Sequence, residues 1–254
     1  MKVSIITACR NSAPTLEGAI QSLLAQDYPE VEYILVDGCS NDGTAQILER
    51  YKAQIHKLIS EPDGGLYDAL NKGITAATGD IVGHLNADDL YAKRTVLSTV
   101  MRTFIEKKTD TVYGDLNYVD AGDITRIRRK WVAGPYDRKN FLKGWMPPHP
   151  AFFVRRETYL NDGMFNTGFR ISADYELMLR LLYCRGITSA YIPEVLVTMR
   201  TGGLSNRSLL NRIQANAEDR KAWTLNGVRP GLFTLWRKPL SKLGQWAVYS
   251  RRRK

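Results

Sequence analysis

"IVGHLNADDLY", residues 81–91, decides the fold because it shows how a strand of this chain ends. Residues 81–85 are typical of a short buried strand, and Asn86, Asp88 and Asp89 follow it at once. An Asx-rich turn that stops the strand and caps the next helix would explain these polar residues. A divalent cation would also explain them, because its charge turns the repulsion between adjacent carboxylates into coordination. The rest of the chain has to decide between the two.

The residues before this stretch alternate between short apolar runs and helical patterns. Buried strands are predicted at 3–8, 32–38 and 56–61, and helices at 15–26, 43–55 and 65–79, the last closed by Gly79. This alternation indicates an α/β fold with a parallel sheet covered on both faces, and ligands bind such sheets beyond the carboxyl ends of the strands. Thr7, Asp37 and the "NADD" group end these strands and are therefore the first candidates for a site.

The second half of the chain has a looser pattern. We predict a helix at 93–107, a hairpin of strands from 111–120 and 124–131, and a proline-marked loop at 145–151 that enters another strand. The stretch "SADYELMLRLLYCRG" is a strong amphipathic helix, with Leu177, Leu181 and Leu182 facing inward and Gly186 as its stop.

Composition restricts the class of protein. The 254 residues are 44% hydrophobic and 24% charged, which is typical of one globular core with or without an appendage. The three cysteines are far apart and form no C-x-x-C pair, so a disulfide framework and a zinc site are both disfavoured, and a reducing cytoplasm fits best. The first apolar run is too short for a signal peptide, and no run approaches about 18 residues. We therefore expect a protein that is neither secreted nor membrane-spanning.

The net charge of +10 is confined to the end of the chain. Residues 1–204 contain 24 Lys/Arg and 24 Asp/Glu, whereas residues 205–254 contain 12 Lys/Arg and only two acids, Glu218 and Asp219. A basic tail of this kind occurs in proteins that bind nucleic acid and in proteins that lie on anionic membranes.

An alternating βα half could also belong to a dinucleotide-binding domain, but the glycine fingerprint is missing. The first strand runs into "TACRNSAPTL", which contains no glycine, and no G-x-x-x-x-G-K-[ST] occurs. If the protein binds a nucleotide, a group other than a glycine-rich turn must neutralise its phosphates. A metal ion held by the "NADD" residues would do so.

Seven motifs in order carry a resemblance to a known family. They are "SIITACRN", "ILVDGCSNDGT", "EPDGGLYDALNKGI", "TGDIVGHLNADD", "HPAFFVRR", "SADYELMLRL" and "RTGGLSNRS". Together they resemble glycosyltransferase family 2, the inverting GT-A enzymes, and most of all the bacterial enzymes that assemble capsule, exopolysaccharide and O-antigen. The resemblance implies a mixed, mainly parallel GT-A sheet flanked by helices over residues 1–204, with a nucleotide-sugar half at 1–91 and an acceptor and catalytic half at 92–204. Residues 205–254 then form a basic, amphipathic helical tail.

The family binds a nucleotide-sugar donor, and the resemblance places it here on named residues. Asp37 matches the carboxylate that contacts uracil, and Thr7 and Ala8 match the strand end lining the same pocket. A carboxylate accepts from a base N–H, which is what this contact needs. Asp63 matches a further base or ribose contact, and Lys72 follows it on the helix. Without the resemblance, Asp37 reads as a turn residue and Lys72 as part of a solvated face.

The "NADD" group aligns with the D-x-D motif of the family, and the alignment implies which residue binds the metal ion. Asp88 matches the metal-ligating aspartate, with Mn²⁺ or Mg²⁺ as the ion, and Asn86 stands where the first carboxylate is usual. Asn86 and Ala87 then line the donor site, and Asp89 braces the loop or caps the helix after it. His149 matches a position that ligates the metal or faces the diphosphate; a loop histidine is the alternative.

Inversion requires a base, and the resemblance assigns it to Asp174. The family has an E-D pair opening a helix, and here Ala173 replaces the glutamate. Asp174 alone could instead serve the helix dipole, and Glu176 is a competing carboxylate two residues on. Arg200 matches a loop arginine that reaches the donor phosphate.

The tail predicts a membrane contact. Residues 231–254 contain no acid and interleave tryptophan, tyrosine, phenylalanine and leucine with lysine and arginine, as at a bilayer headgroup boundary. Packing of these aromatics on the catalytic domain is the alternative; a nucleic-acid partner is not called for. The predicted function is transfer from a nucleotide sugar, with UDP expected, to a lipid-linked saccharide by a cytoplasmic enzyme peripheral to the inner face of the plasma membrane. A non-catalytic basic binding protein on a degenerate transferase fold is the rival hypothesis.

Overall fold

The structure, a computed structural model, describes residues 1–202 and 209–228. The predicted alternation at the start of the chain is confirmed. The strands are β1 (Val3–Cys9), β2 (Val31–Asp37), β3 (Lys57–Ser60) and β4 (Ile81–His84), and the helices between them are α1 (Leu16–Leu24), α2 (Thr44–Arg50) and α3 (Leu66–Ala76). Parallel pairing joins β1 to β2 and β4, and β2 to β3.

The second half adds five strands and four helices within the described residues. They are β5 (Leu90–Tyr91), α4 (Val96–Lys107), β6 (Thr111–Val119), β7 (Ile127–Trp131), β8 (Phe152–Arg155), α5 (Arg156–Asp162), α6 (Ala173–Met178), β9 (Ser189–Arg200) and α7 (Leu209–Leu225). A π-helical segment, Leu179–Arg185, continues α6, and short 3₁₀ turns lie at Lys52–Gln54, Arg138–Lys143 and His149–Ala151.

All the strands of the described chain belong to one mixed sheet. Its order is β3-β2-β1-β4-β8-β6-β9-β5, and β7 pairs with the outer part of β6. The strand β8 is antiparallel to both β4 and β6, so β6 runs in the same direction as β4 and β1. The carboxyl ends of β1, β2, β4 and β6 therefore meet at one edge of the sheet, and this edge carries the candidate site.

Helices cover both faces of the sheet. One apolar cluster joins α1, α2 and α4 to the strands through residues such as Leu16, Ile47 and Phe104. The other joins α3, α6 and α7 through residues such as Leu70, Leu177 and Trp223. Leu177, Leu181 and Leu182 are all buried, as the helical spacing predicts.

The structure corrects two details at helix ends and confirms a third. The first helix, predicted at 15–26, ends at Leu24, and this last residue of α1 is 43% exposed although the helical spacing of the leucines predicts that it is buried. The third helix ends at Ala76, and Gly79 serves a different purpose from a helix stop: a Cβ at Gly79 would lie 2.7 Å from Ser4 Oγ, so glycine allows the chain to pass close to β1. Gly186 does end its helix, with a left-handed φ of 69°.

The predicted tail is only partly covered. The helix α7 lies within the basic region, whereas residues 205–208 and 229–254, which include the sequence predicted to contact the membrane, lie outside the described residues. Among the described helices, none combines the length and the apolar character needed to cross a bilayer.

Candidate active site

Asp37 lies at the end of β2, where two serine hydroxyls bind its buried carboxylate. Only 3% of Asp37 is exposed, and its carboxylate accepts hydrogen bonds from Ser40 Oγ at 2.5 Å and Ser60 Oγ at 3.0 Å. Cys9 Sγ lies 3.7 Å away, and burial together with the Asp37 charge raises the pKa of that thiol. The Asp37 carboxylate is thus held in a fixed orientation at the sheet edge.

Asp63 is brought against the same strand end by a glycine. A Cβ on Gly38 would lie 2.2 Å from Asp63 Oδ2, so glycine leaves room for the Asp63 carboxylate in its observed position. The Gly65 amide donates to Asp63 Oδ1 at 2.9 Å and fixes the loop. The structure therefore places Asp63 beside Gly38, the residue that follows Asp37, although 26 positions separate the two predicted donor-binding carboxylates in the sequence.

Three other predicted donor residues contribute less through their side chains. Thr7 is fully buried, and its hydroxyl accepts from Tyr33 Oη at 3.2 Å. Ala87 packs in the core, and Ala8 is half-buried. At these three positions, donor contact is left to the backbone or to the small methyl groups.

Lys72 holds the Asp63 loop. Its Nζ lies 2.8 Å from Glu61 Oε1 and donates to the Pro62 carbonyl at 2.8 Å, and Asp68 is 3.6 Å away. Direct contact between Lys72 and a donor stays a prediction.

The "NADD" turn is braced from inside, as expected for Asp89. Asn86 Nδ2 donates to Asp89 Oδ2 at 2.7 Å, and Asp89 is fully buried. Burial and the neighbouring Asp88 charge raise the pKa of Asp89 well above its usual range, and Arg200 acts in the opposite direction. Asp88 itself is half-buried. Arg200 lies at the end of β9, and its Nη1 donates to the Ala121 carbonyl at 2.9 Å.

Two histidines pair beside this turn. The rings of His84, which ends β4, and His149 have centroids 4.1 Å apart, and Phe165 lies about 6 Å from both. Both Nε2 atoms are buried without a hydrogen-bond partner among the described residues. Burial lowers the pKa of His149 to about 4, and burial and the His149 charge lower the pKa of His84. Both imidazoles are therefore neutral near pH 7, the form that ligates metals.

Asp174 is tied to the same cluster through one tyrosine. Tyr67 Oη, on α3, donates to the Ile171 carbonyl at 2.6 Å and lies 3.3 Å from Asp174 Oδ1. The Tyr67 ring stacks on Phe165 with centroids 5.4 Å apart. Burial, followed by the Asp174 charge, raises the pKa of Tyr67 well above its usual range, so the hydroxyl stays a donor.

The structure removes Glu176 from the competition for the role of base. Only 1% of Glu176 is exposed, and its carboxylate binds Arg180 at 2.9 and 3.1 Å and the Asn226 amide at 3.1 Å. A carboxylate that is buried and paired in this way stabilises packing and is closed to a substrate hydroxyl.

Tyr118, near the end of β6, is affected by the charges of two carboxylates of the candidate site. Burial raises the pKa of Tyr118, Arg129 lowers it, and the charges of Asp89 and Asp174 raise it further. The Arg129 guanidinium stacks 4.0 Å from the Tyr118 ring centroid. Both Asp89 and Asp174 are thus close enough for their charges to act on this one hydroxyl.

Comparison with known proteins supplies the identification. Residues 4–171 match the profile of the family described as "Glycosyl transferase family 2". This chain belongs to that family. A "PGL/p-HBAD biosynthesis glycosyltransferase" of Mycobacterium bovis is 31% identical to this glycosyltransferase over 208 residues, which cover 80% of this chain and 78% of the relative.

Solved structures confirm the GT-A fold predicted for this glycosyltransferase. S. aureus TarS 1–349 in complex with UDP-GlcNAc aligns with a TM-score of 0.70 and 18% identity, over 89% of this chain and 65% of that chain. This chain thus spans less than two thirds of that TarS chain. The mannosyltransferase PcManGT from Pyrobaculum calidifontis, in complex with GDP-Man and Mn²⁺, aligns with a TM-score of 0.66 and 20% identity, over 98% and 75%. At these identities the likeness concerns the fold.

The residues of the glycosyltransferase fit a divalent cation that takes most of its ligands from a substrate. Within residues 1–202 and 209–228, no three His, Cys, Asp or Glu side chains form a ligand cluster. The predicted ligands are the Asp88 carboxylate and His149, whose Nε2 is buried without a hydrogen-bond partner among the described residues, and their binding of a metal stays a prediction. Mg²⁺ and Mn²⁺ bind in this manner, through one or two protein ligands plus phosphate oxygens and water.

Sequence reasoning missed three residues of the glycosyltransferase's site. Tyr67 and Tyr118 occupy strand or helix positions whose periodicity indicates only burial, and His84 lies inside an apolar strand. Their contacts join segments far apart in the chain, such as Tyr67 and Asp174, which are separated by 107 positions. Nothing in local spacing signals such pairs.

Proposed function

We propose that this protein is an inverting glycosyltransferase that moves a sugar from a nucleotide-sugar donor, with UDP as the nucleotide, to a lipid-linked saccharide. The single observation that carries the proposal is the placement of Asp174. Its Oδ1 lies 3.3 Å from the hydroxyl of Tyr67, which is in the first turn of α3 and follows the Asp63 loop, whereas the "NADD" turn follows β4. An inverting displacement needs a leaving group and a base on opposite sides of the anomeric carbon.

The donor base would bind at Asp37 and Asp63. Both carboxylates accept hydrogen bonds, as a pyrimidine N–H and a ribose hydroxyl require. Gly38 leaves room for both loops, and Ser40 and Ser60 orient the Asp37 carboxylate. The diphosphate would extend toward Asn86 and Asp88, and Arg200 is the cationic side chain beside Asp89.

Asp88 and His149 would hold Mn²⁺ or Mg²⁺ together with the diphosphate. When bound, the cation supplies Lewis-acid stabilisation of the departing nucleoside diphosphate. The complex of PcManGT with GDP-Man contains Mn²⁺, which supports this choice of ion. Asn86 leaves the turn with one carboxylate fewer than a D-x-D motif, which lowers the negative charge of the site.

Asp174 would remove the proton of the acceptor hydroxyl as its oxygen bonds to the anomeric carbon. The bond between that carbon and the phosphate oxygen breaks in the same step, and its electrons leave with the nucleoside diphosphate. Tyr67 keeps the Asp174 side chain in place through its hydroxyl. Attack opposite to the leaving group inverts the anomeric configuration.

The acceptor and the location follow from the basic tail. Lipid-linked saccharides lie at a membrane surface, and residues 231–254 combine aromatic and basic side chains suited to anionic headgroups. We therefore place the enzyme in the cytoplasm, on the inner face of the plasma membrane, with the tail as its contact.

Nucleotide-sugar binding and turnover test this function. We expect UDP-sugars with Mn²⁺ to raise the unfolding temperature of the full-length protein and to be hydrolysed slowly without acceptor, because only a matching donor contributes binding free energy. Asp37→Asn should weaken the temperature shift. A panel of UDP-, GDP- and dTDP-sugars that produces neither a shift nor hydrolysis would favour the non-catalytic binding protein.

A further inference from the structure

The helix α7 lies beyond the part of the chain that matches the family profile, yet it packs directly on α6, which carries Asp174. Trp223 is fully buried, and its Nε1 donates to Tyr175 Oη at 2.9 Å. Asn226 Nδ2 donates to Glu176 Oε1 at 3.1 Å. These contacts anchor α7 to the catalytic half independently of its charged residues.

Glu218 of α7 binds the backbone immediately before α6. Its Oε2 accepts hydrogen bonds from the amides of Ile171 and Ser172, each at 2.8 Å, and its Oε1 accepts from the Arg170 amide at 3.2 Å. Gln214 Nε2, one turn earlier on α7, donates to Oε1 at 3.0 Å and orients the carboxylate. Three consecutive backbone donors on one carboxylate form a strong, charge-assisted set.

The N-cap residue of α6 also contacts α7. Ser172 occupies the N-cap position of α6, but its hydroxyl makes no cap hydrogen bond and donates instead to the Ala215 carbonyl of α7 at 3.3 Å. The amides before α6 are therefore satisfied by a side chain from another helix. Such amides otherwise need a local cap or water.

The same segment is held from its other side by Tyr67. The Tyr67 hydroxyl donates to the Ile171 carbonyl at 2.6 Å and lies 3.3 Å from Asp174 Oδ1. The peptide segment 170–172 is thus held between Glu218, which binds its amides, and Tyr67, which binds its carbonyl. Asp174 follows this segment by two residues.

The wall of a cleft is formed by the residues that lead into this segment and by Arg170, its first residue. Residues 167–170 face residues 64–68 across a cavity of about 300 Å³. Lys221, also on α7, donates to the Gly168 carbonyl at 3.2 Å and lies 4.9 Å from the Phe169 ring centroid. One helix therefore fixes both the cleft wall and the segment that leads to Asp174.

We propose that Glu218 is a positioning residue for catalysis, which fixes segment 170–172 and thereby sets the position of the Asp174 carboxylate relative to the acceptor hydroxyl. The proposal rests on the proposed role of Asp174 as the base. Loss of the carboxylate shifts the base without changing the donor pocket around Asp37, which is built on other strands. A displacement of about 1 Å at a reacting group can cost on the order of 10²-fold in rate.

Steady-state kinetics of the full-length protein test this role. Glu218→Gln keeps the size of the side chain but removes the charge and turns one acceptor into a donor that faces backbone amides. We expect kcat to fall about 10- to 100-fold, with the donor KM within about two-fold of wild type. Arg220→Gln is the matched control, because it also neutralises one charge on α7 but at an exposed position; its kcat should equal that of wild type.

A double-mutant comparison separates positioning from general loss of structure. If Glu218 acts through Asp174, Glu218→Gln should change the residual rate of Asp174→Asn by less than about two-fold. If Glu218→Gln does not fold, Glu218→Asp keeps the charge on a shorter side chain and should give a smaller loss of kcat, again without a change in the donor KM.

Several results would overturn the proposal. One is a wild-type kcat for Glu218→Gln together with an inactive Asp174→Asn variant. This result would rule out the role of Glu218 but would leave the proposed function of the protein intact. A rise in the donor KM with unchanged kcat, or fully additive losses in the double mutant, would also overturn it. Full activity of Asp174→Asn instead removes the base assignment, and with it the basis of this inference.

Discussion

Asn86 and Asp89 form a hydrogen bond of 2.7 Å inside the turn that follows β4. The bond ties the two residues that flank Ala87 and Asp88, so the turn is rigid before any ligand binds. It also shows that the two hypotheses for the "NADD" stretch are compatible. Asp89 braces the turn as an Asx residue does, and Asp88 is the carboxylate that we propose as the cation ligand.

Metal dependence through Asp88 is the first prediction. Asp88→Ala should reduce the transfer rate by about 10²-fold or more, because it removes charge stabilisation of the leaving diphosphate. The measurement is turnover with Mn²⁺ and with EDTA. Wild-type turnover of this variant in EDTA would contradict the assignment of Asp88 as a metal ligand.

The second prediction concerns the two carboxylates of α6. Asp174→Asn should lower transfer by about 10²- to 10⁴-fold while UDP-sugar binding survives, because the shape is kept and the base is lost. Glu176→Gln should act differently: it weakens the buried contacts to Arg180 and Asn226 and so lowers the unfolding temperature. The measurements are the transfer kinetics and the thermal unfolding of both variants. A Glu176→Gln protein that is as stable as wild type but inactive would indicate that Glu176, and not Asp174, is the base.

The third prediction is a pH dependence of stability that arises from Glu32. Burial raises the pKa of Glu32, but hydrogen bonds from Ser4, Thr78 and Lys2 lower it more strongly, to about 2. Because the folded pKa is depressed, this contribution to stability is present above the unfolded pKa of about 4.3 and is lost as the pH falls toward about 2.

The expected size is about 3 kcal/mol of unfolding free energy, from a shift of roughly two pKa units. Denaturant unfolding of wild type and Glu32→Gln across this pH range measures it. The variant should be less stable at pH 7, and its stability should vary less below pH 4. Parallel curves for the two proteins would show that Glu32 contributes nothing to the acid sensitivity.

The fourth prediction concerns the basic tail. Removal of residues 231–254 should leave donor hydrolysis nearly intact but abolish co-sedimentation with anionic liposomes at low salt, because each basic residue near such a surface contributes about 1 kcal/mol. Neutral liposomes are the control. Equal sedimentation of the truncated and full-length proteins would refute the membrane role.

The sequence predicted the features that depend on local spacing. Strand and helix periodicity located β1 to β4 and the helices between them, and the polar residues at the strand ends indicated the edge that carries the candidate site. The ordered motifs predicted the family. The end of α1 at Leu24 was missed because boundaries depend on tertiary contacts that periodicity does not contain.

The features that escaped prediction depend on long-range contacts. Glu176 is closed to substrate in part because its carboxylate binds Asn226, which is 50 positions away in the chain. Local spacing does not indicate this contact. The approach of Asp63 to Gly38 depends on the parallel pairing of β2 with β3. The contact of Glu218 with segment 170–172 joins residues up to 48 positions apart, on a helix whose charge pattern alone indicates a solvated surface.

The His84–His149 pair gives the protein a built-in spectroscopic reporter. The chain has three histidines, and the third, His56, lies elsewhere, where its Nδ1 accepts the Tyr33 amide at 3.1 Å. A ¹⁵N-histidine NMR spectrum of the unmodified protein would therefore contain one resonance set from the surroundings of β2 and two from the candidate site. Titration with Mg²⁺ and nucleotide could then be followed at the site itself, without a chromophore, a coupled assay or an engineered label.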